Sequence, residues 1–117
     1  MALEEIIKPL QEIDGYLAAL VFDRNGAVLF QHNASKYQIE LITDNLKLIM
    51  DATVKAVNKA NLGNCQFVQI NSDLGIIGAA WSAENTTVAG ILLDSKSNTG
   101  LAKLALTKAA ELAATAG

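Results

Sequence analysis

Apolar and polar positions alternate along this chain with two different periods, and the changes of period mark out its elements. Leu3, Ile6, Ile7, Leu10 and Ile13 recur at helical spacing, with Glu4 and Glu5 near a positive helix start. Pro9 leaves two readings: a helix kinked at the proline, or one that begins near Lys8 with Pro9 in its first turn. After Asp14-Gly15, Tyr16 to Asp23 is apolar on both alternating faces, which predicts a central strand covered on each side. Asn25-Gly26 then separates two apolar runs, a hairpin signal because both residues tolerate positive φ, so Ala27 to His32 should return antiparallel. Asn33-Ala34-Ser35 leads to the next helix, with Ser35 or Asn33 able to accept hydrogen bonds from its first free amides.

Gln38 to Gly63 is the longest stretch with helical periodicity, and Gly63 suits the left-handed conformation that ends helices. Ile39, Ile42, Leu46, Ile49, Met50, Thr53, Val54, Ala56, Val57 and Ala60 fall on one broad apolar arc, with Glu40, Asp44, Lys47, Asp51 and Asn58 to one side. Leu41, Leu48 and Ala52 project nearly opposite that arc, bordered by Asn45 and Lys55. Such a narrow second seam suits pairing with another helix, so this helix has two surfaces to bury. Asp51 and Lys55 stand in the favourable order for an ion pair one turn apart.

Three further strands follow, Cys65 to Asn71, Gly75 to Trp81 and Thr87 to Leu93, joined by turns at Ser72-Asp73 and Ala83-Glu84-Asn85 short enough for an antiparallel meander. Small residues recur near the strand middles (Ala18 and Ala19, Gly78 to Ala80, Ala89 and Gly90), where a helix can approach a sheet closely. Asp94 to Asn98 turns the chain with Asn98 as cap, and Leu101, Leu104, Ala105 and Leu112 form a closing helix to about Ala114.

Composition narrows the classes. A chain of 117 residues with 51% hydrophobic content suits one compact domain over residues 1–117, with its core built from Ile, Leu, Val and Ala because aromatics make up only 5%. A net charge of −3 supplies no basic stripe for a phosphate backbone, which argues against nucleic acid as a partner. No apolar run approaches the roughly 20 residues of a spanning helix. The start, Met1-Ala2-Leu3-Glu4-Glu5, is acidic where a secretory signal is basic, so the expectation is a cytoplasmic protein without membrane insertion. One cysteine, Cys65, excludes an internal disulfide, and with one histidine, His32, it excludes a Cys/His zinc site. Cys65 is expected to be a half-buried, weakly reactive thiol, His32 a surface or packing residue, and Asp23 a turn stabiliser. The eight glycines are dispersed and none precedes a Lys-Ser/Thr pair, so no phosphate loop is present. No catalytic, metal or cofactor set emerges.

The order helix, hairpin, long helix, three-strand meander, helix resembles the Roadblock/LC7 domain, a longin-like α/β fold, and in particular its small bacterial or archaeal GTPase-associated members. The resemblance covers nearly all of the chain. It rests on Ile13-Asp14-Gly15 leading into Tyr16 to Asp23, the Asn25-Gly26 turn, the long middle helix, and Asn98-Thr99-Gly100-Leu101-Ala102 opening the last helix. It implies an α+β domain, α-β-β-α-β-β-β-α, whose five-stranded antiparallel sheet has the order 2-1-5-4-3 and lies between the long helix and the terminal helices. It also implies homodimers paired through the long helix and the third strand, with Leu41, Asn45, Leu48, Ala52, Lys55, Cys65, Phe67 and Gln69 at the interface. A further implication is a scaffold role that involves binding or regulating a small Ras-like GTPase. Pro9 departs from the family pattern, as does a chain that stops just after the last helix without the tail of some GTPase-regulating members. The alternative is a small-ligand sensor of PAS- or profilin-like architecture with a cavity beneath the Ala/Gly row; an enzyme ranks third.

Overall fold

The computed structural model describes residues 2–116. The elements are α1 (Leu3–Gln11), β1 (Tyr16–Asp23), β2 (Val28–Asn33), α2 (Ile39–Lys59), β3 (Phe67–Asn71), β4 (Gly75–Trp81), β5 (Thr87–Asp94) and α3 (Thr99–Ala116). The strands form one antiparallel five-stranded sheet in the order β2-β1-β5-β4-β3. β1 and β5 are almost wholly buried, as strands with two apolar faces must be.

Two cores sit on the two faces of the sheet. On one, α1 and α3 pack over Ala19, Val21, Ala80, Ala89 and Ile91; on the other, α2 packs over Ala18, Leu20, Phe22, Trp81 and Leu92. The first contact sets alanine against alanine, since α3 buries Ala102, Ala109, Ala110 and Ala113, and its Cα atoms come within 8 Å of β4 and β5. Across the sheet the larger Leu20, Phe22 and Trp81 hold α2 farther off. The glycines in this row leave no void. A Cβ at Gly78 would lie 3.2 Å from Leu106 Cδ1, and one at Gly90 would lie 3.2 Å from Leu46 Cδ2. At Gly78 and Gly90, where the alternative sensor reading placed a cavity, leucines fill the space from both sides.

Several boundaries differ from the sequence reading for identifiable reasons. Of the two readings left open for α1, the helix that runs through the proline holds and the one beginning near Lys8 does not: α1 begins at Leu3 and carries Pro9 inside it. Proline in a helix interior costs about 3 kcal/mol. Ile6, Ile7 and Leu10 are 3%, 0% and 0% exposed, and burying each contributes about 1.5–3 kcal/mol, so burial outweighs the proline. The hairpin between β1 and β2 is a three-residue loop. Asp23 N–H donates to Ala27 O and Gly26 N–H to Asp23 O, each at 2.9 Å, and only Gly26 takes positive φ, at 92°. Asp23 also accepts Ala27 N–H through its Oδ1 at 3.0 Å, the turn role expected of it. The second strand accordingly starts at Val28, with Leu29 as an extra residue opposite the Val21/Phe22 register shift.

α2 ends at Lys59, before Gly63, because Asn61 takes the left-handed conformation (φ 57°). Leu62 N–H donates to Val57 O at 3.0 Å and Asn61 N–H to Asn58 O at 3.1 Å, the paired bonds of a Schellman motif. Neither Asn33 nor Ser35 caps the start of α2. The N-cap position is Gln38, without a side-chain bond. Asn33 Oδ1 accepts Ser35 N–H and Ser35 Oγ accepts Tyr37 N–H, so these residues fold the preceding loop instead. Asn98 does cap α3, its Oδ1 accepting Gly100 N–H at 2.9 Å.

Candidate functional site

The buried stripe of α2 is Ile39, Thr43, Leu46, Met50 and Val54. It is narrower than the arc read from the sequence: Ile42, Thr53 and Val57 are half-buried, Ala56 and Ala60 are exposed, and Ile49 is 37% exposed. Thr43 fits because its hydroxyl is satisfied within the core: it donates to Ile39 O at 2.9 Å and lies 3.4 Å from Gln31 Oε1 on β2. On the outer side Leu41 is 58% and Leu48 72% exposed, and Ala52 is exposed between them and Lys55. Lys55 Nζ lies 2.9 Å from Asp51 Oδ2 on this solvated surface. Asn45 is exposed and turns its amide back to donate to Leu41 O at 2.8 Å.

Beside α2 the sheet ends in β3, whose outer edge has no neighbour among the described residues. Trp81 N–H donates to Gln66 O and Ser72 N–H to Gly75 O, each at 2.9 Å, which fixes the alternation of the ladder. Val68 and Ile70 therefore bond β4, while Phe67, Gln69 and Asn71 turn their backbone N–H and C=O groups outward. Side chains alternate as well. Phe67 packs on the α1/α3 core, where Lys103 Nζ stands 5.7 Å from its ring centre, whereas Val68 packs with the α2 core. The predicted interface residues thus divide. Leu41, Asn45, Leu48, Ala52 and Lys55 share the outer surface of α2, Phe67 and Gln69 contribute outward backbone, and their side chains lie on the opposite face of the sheet.

Cys65 lies two residues before β3 rather than opening it, and at 7% exposure its side chain belongs to its own subunit's core. Its carbonyl accepts the Asn85 amide at 2.9 Å. The sequence reading put Ile49 on the buried arc and did not single out Ile70 or Ile77. With Leu41, Ile42 and Asn45 they line an open apolar groove of about 280 Å³ between α2 and the β3–β4 edge. Period-two alternation along the strand gave the signal: counting from Ile70 places Val68 and Ile70 on the α2 side. A second apolar hollow, between Tyr37, Leu74 and Leu92, shares Ile42 and Ile77 with this groove and extends it.

Polar chemistry elsewhere is sparse. Tyr16 Oη lies 2.7 Å from His32 Nδ1, and the two rings stack at 5.8 Å. Burial pushes the Tyr16 phenol above its ordinary pKa, partly opposed by a hydrogen bond with the Gln11 side chain. Among the described residues no three His, Cys, Asp or Glu side chains gather as metal ligands would, and no helix is long and apolar enough to cross a membrane.

This architecture, with one long helix on one face of a 2-1-5-4-3 sheet and the terminal helices on the other, is the Roadblock/LC7 fold. Among solved structures the chain is similar to MglB in a tetrameric arrangement (TM-score 0.78, 20% identity, covering 93% of this chain and 82% of that one). It is similar as well to the gliding protein MglB from Thermus thermophilus (TM-score 0.77, 19% identity, 97% and 90% covered). A Roadblock/LC7 domain from Streptomyces avermitilis also superposes (TM-score 0.75, 10% identity, 89% and 87% covered). No protein-family model and no curated protein sequence matches the chain.

Proposed function

We propose that the protein is a non-catalytic homodimeric interaction module of the cytoplasm, which binds or regulates a small Ras-like GTPase. The observation that carries this reading is the exposed seam of Leu41, Leu48 and Ala52 beside an unpaired sheet edge and an open apolar groove lined by Ile49. Contiguous exposed apolar surface and a free edge are each a liability in an isolated subunit, and one partner covers both. Two β3 edges that pair antiparallel about Gln69 use the outward groups of Phe67, Gln69 and Asn71 and bring two α2 helices side by side. The groove side chains Ile49 and Ile70 then become interior. The GTPase half of the proposal rests on the family resemblance and on the likeness to the gliding protein MglB.

Sedimentation of the wild-type chain and of Leu48→Glu tests the dimer, with a folded monomer expected for the variant. Titration against a Ras-like GTPase from the same cell, loaded with GTP analogue or GDP, tests the partner. Binding to neither form overturns the GTPase reading while leaving the dimer intact.

A further inference from the structure

The face of the sheet opposite α2 is roofed by α1 and α3, whose outer surface also exposes apolar side chains. Where the end of α1 meets the start of α3 lies an open hollow of about 440 Å³. Pro9, Ile13, Leu101 and Ala105 give it apolar walls, and Glu12 and Asp14 stand on its α1 side. Leu101 is 63% exposed, and Leu104, three residues further along α3, is 72% exposed. Neither serves the core, which α3 reaches through Ala102, Leu106, Ala109, Ala110 and Ala113. Exposed apolar surface with a polar rim marks a place where a partner sits.

The charge on this rim has one sign. Glu5, Pro9 and Glu12 follow one another at i, i+4 and i+7 and so share a stripe of α1. Among the described residues no lysine or arginine lines the hollow. Residues 1–14 hold four carboxylates (Glu4, Glu5, Glu12 and Asp14) and one cation, Lys8, so they carry the chain's entire net charge of −3, and the other eight carboxylates balance eight bases. Backbone chemistry adds an acceptor. Pro9 has no N–H to give to Glu5 O, which leaves that carbonyl without its helical donor on the same stripe, beside the proline ring. The rim accepts hydrogen bonds and repels anions.

We propose that this hollow docks a basic amphipathic helix of another protein, its leucine-like side chains set between Pro9, Ile13 and Leu101 and its arginines or lysines at Glu12, Asp14 and Glu5 O. Two neighbouring helices leave a groove that takes a third, through apolar contacts at i, i+3, i+4 and i+7. Cations flanking those contacts meet the carboxylates of α1, which fixes the direction of the incoming helix and selects it over neutral ones. A second copy of this chain fits badly. Its exposed leucines stand beside the same carboxylates, so a two-fold contact sets Glu12 and Asp14 against their own copies. Nucleic acid and an anionic membrane meet the same repulsion. The proposal is independent of the dimer reading, because the α2 seam and its groove lie on the other face of the sheet.

The probe is a fluorescein-labelled peptide with leucines at i, i+3, i+4 and i+7, arginines beside them, and alanine and glutamine elsewhere; a twin carries glutamate in place of each arginine. Fluorescence anisotropy should show saturable binding of the arginine peptide and at least about tenfold weaker binding of its twin. Leu101→Gln should weaken the arginine peptide about tenfold while keeping native circular dichroism. Glu12→Lys should narrow or reverse the preference between the twins. Pro9→Ala, which restores an N–H for Glu5 O, should raise the melting temperature and yet weaken the peptide. Backbone amide shifts on binding should gather around Glu12 to Asp14 and Leu101 to Ala105, and Leu48→Glu should leave the titration unchanged whatever it does to the oligomer. No saturable binding up to about 1 mM peptide, equal binding of the twins, or shifts centred on α2 and β3 overturns the proposal. A change in sedimentation of the protein alone on Leu101→Gln would put a second copy in the groove and overturn it as well.

Discussion

Asn61 shows how much one residue decides. Its left-handed φ of 57° closes α2 two residues before the glycine that the sequence offered for that task. Asn tolerates this conformation at a fraction of the cost other side chains bear, and its Schellman bonds leave Gly63 free to shape the loop. Asn61→Ala should lower stability by about 1 kcal/mol, while Asn61→Gly should be neutral or stabilising, and urea unfolding with an unchanged m-value would register both. Cys65, enclosed in the α2-side core, should label slowly with thiol reagents in native buffer; labelling at the rate of a free cysteine would contradict its burial. Tyr16 gives a pH dependence. Burial raises its pKa above the ordinary 10.0, so the folded state favours the protonated phenol. That contribution is complete below pH about 10, the unfolded value, and is lost as the pH rises through the folded pKa. Stability should therefore fall on the alkaline side, and Tyr16→Phe should flatten that fall in denaturant titrations at successive pH values.

At the scale of elements, α2 is the one that faces two ways. Leu46 is 2% exposed and Leu48 is 72% exposed, although both are leucines two positions apart. Leu46→Ala should cost about 2–5 kcal/mol, because the cavity sits against Gly90 and Leu20, and Leu46→Glu should unfold the chain. Leu48→Glu should keep native circular dichroism and lose the dimer; a variant that still sediments as the wild type would rule out this interface. Helical periodicity alone revealed the off-arc seam at Leu41, Leu48 and Ala52. It overstated the buried arc, since periodicity places residues by angle and cannot tell how far the sheet reaches beneath the helix. Ile49, Ala56 and Ala60 fall beyond that reach. Strand ends were misread for a related reason: β3 begins at Phe67 because Cys65 is drawn into the core and held there by Asn85, a bond between residues 20 positions apart.

For the whole molecule, the two open edges of the sheet have different prospects. The β3 edge lies beside the apolar groove and the seam, and the proposed dimer runs its sheet through that edge. Ile70→Lys, on the same face as α2, should weaken the dimer as Leu48→Glu does, whereas Gln69→Ala should have little effect because Gln69 contributes only backbone. Sedimentation of the two variants side by side separates a sheet-continuous dimer from one made by helices alone. If the GTPase reading holds, any change in GTP turnover should appear only when the GTPase is present, and calorimetry should find no tight GTP binding to this protein by itself. The chain's own pattern determined the order of its elements, the two-sided central strands, the closing cap at Asn98 and the presence of a second apolar stripe, because these follow from periods of 3.6 and 2 and from turn chemistry a few residues long. Only the tertiary structure decided which faces those stripes meet. It set which side of β3 stands with α2, turned Cys65 inward, and filled the glycine row with Leu46 and Leu106. Each of these depends on contacts between residues far apart in the chain, where no local period carries information.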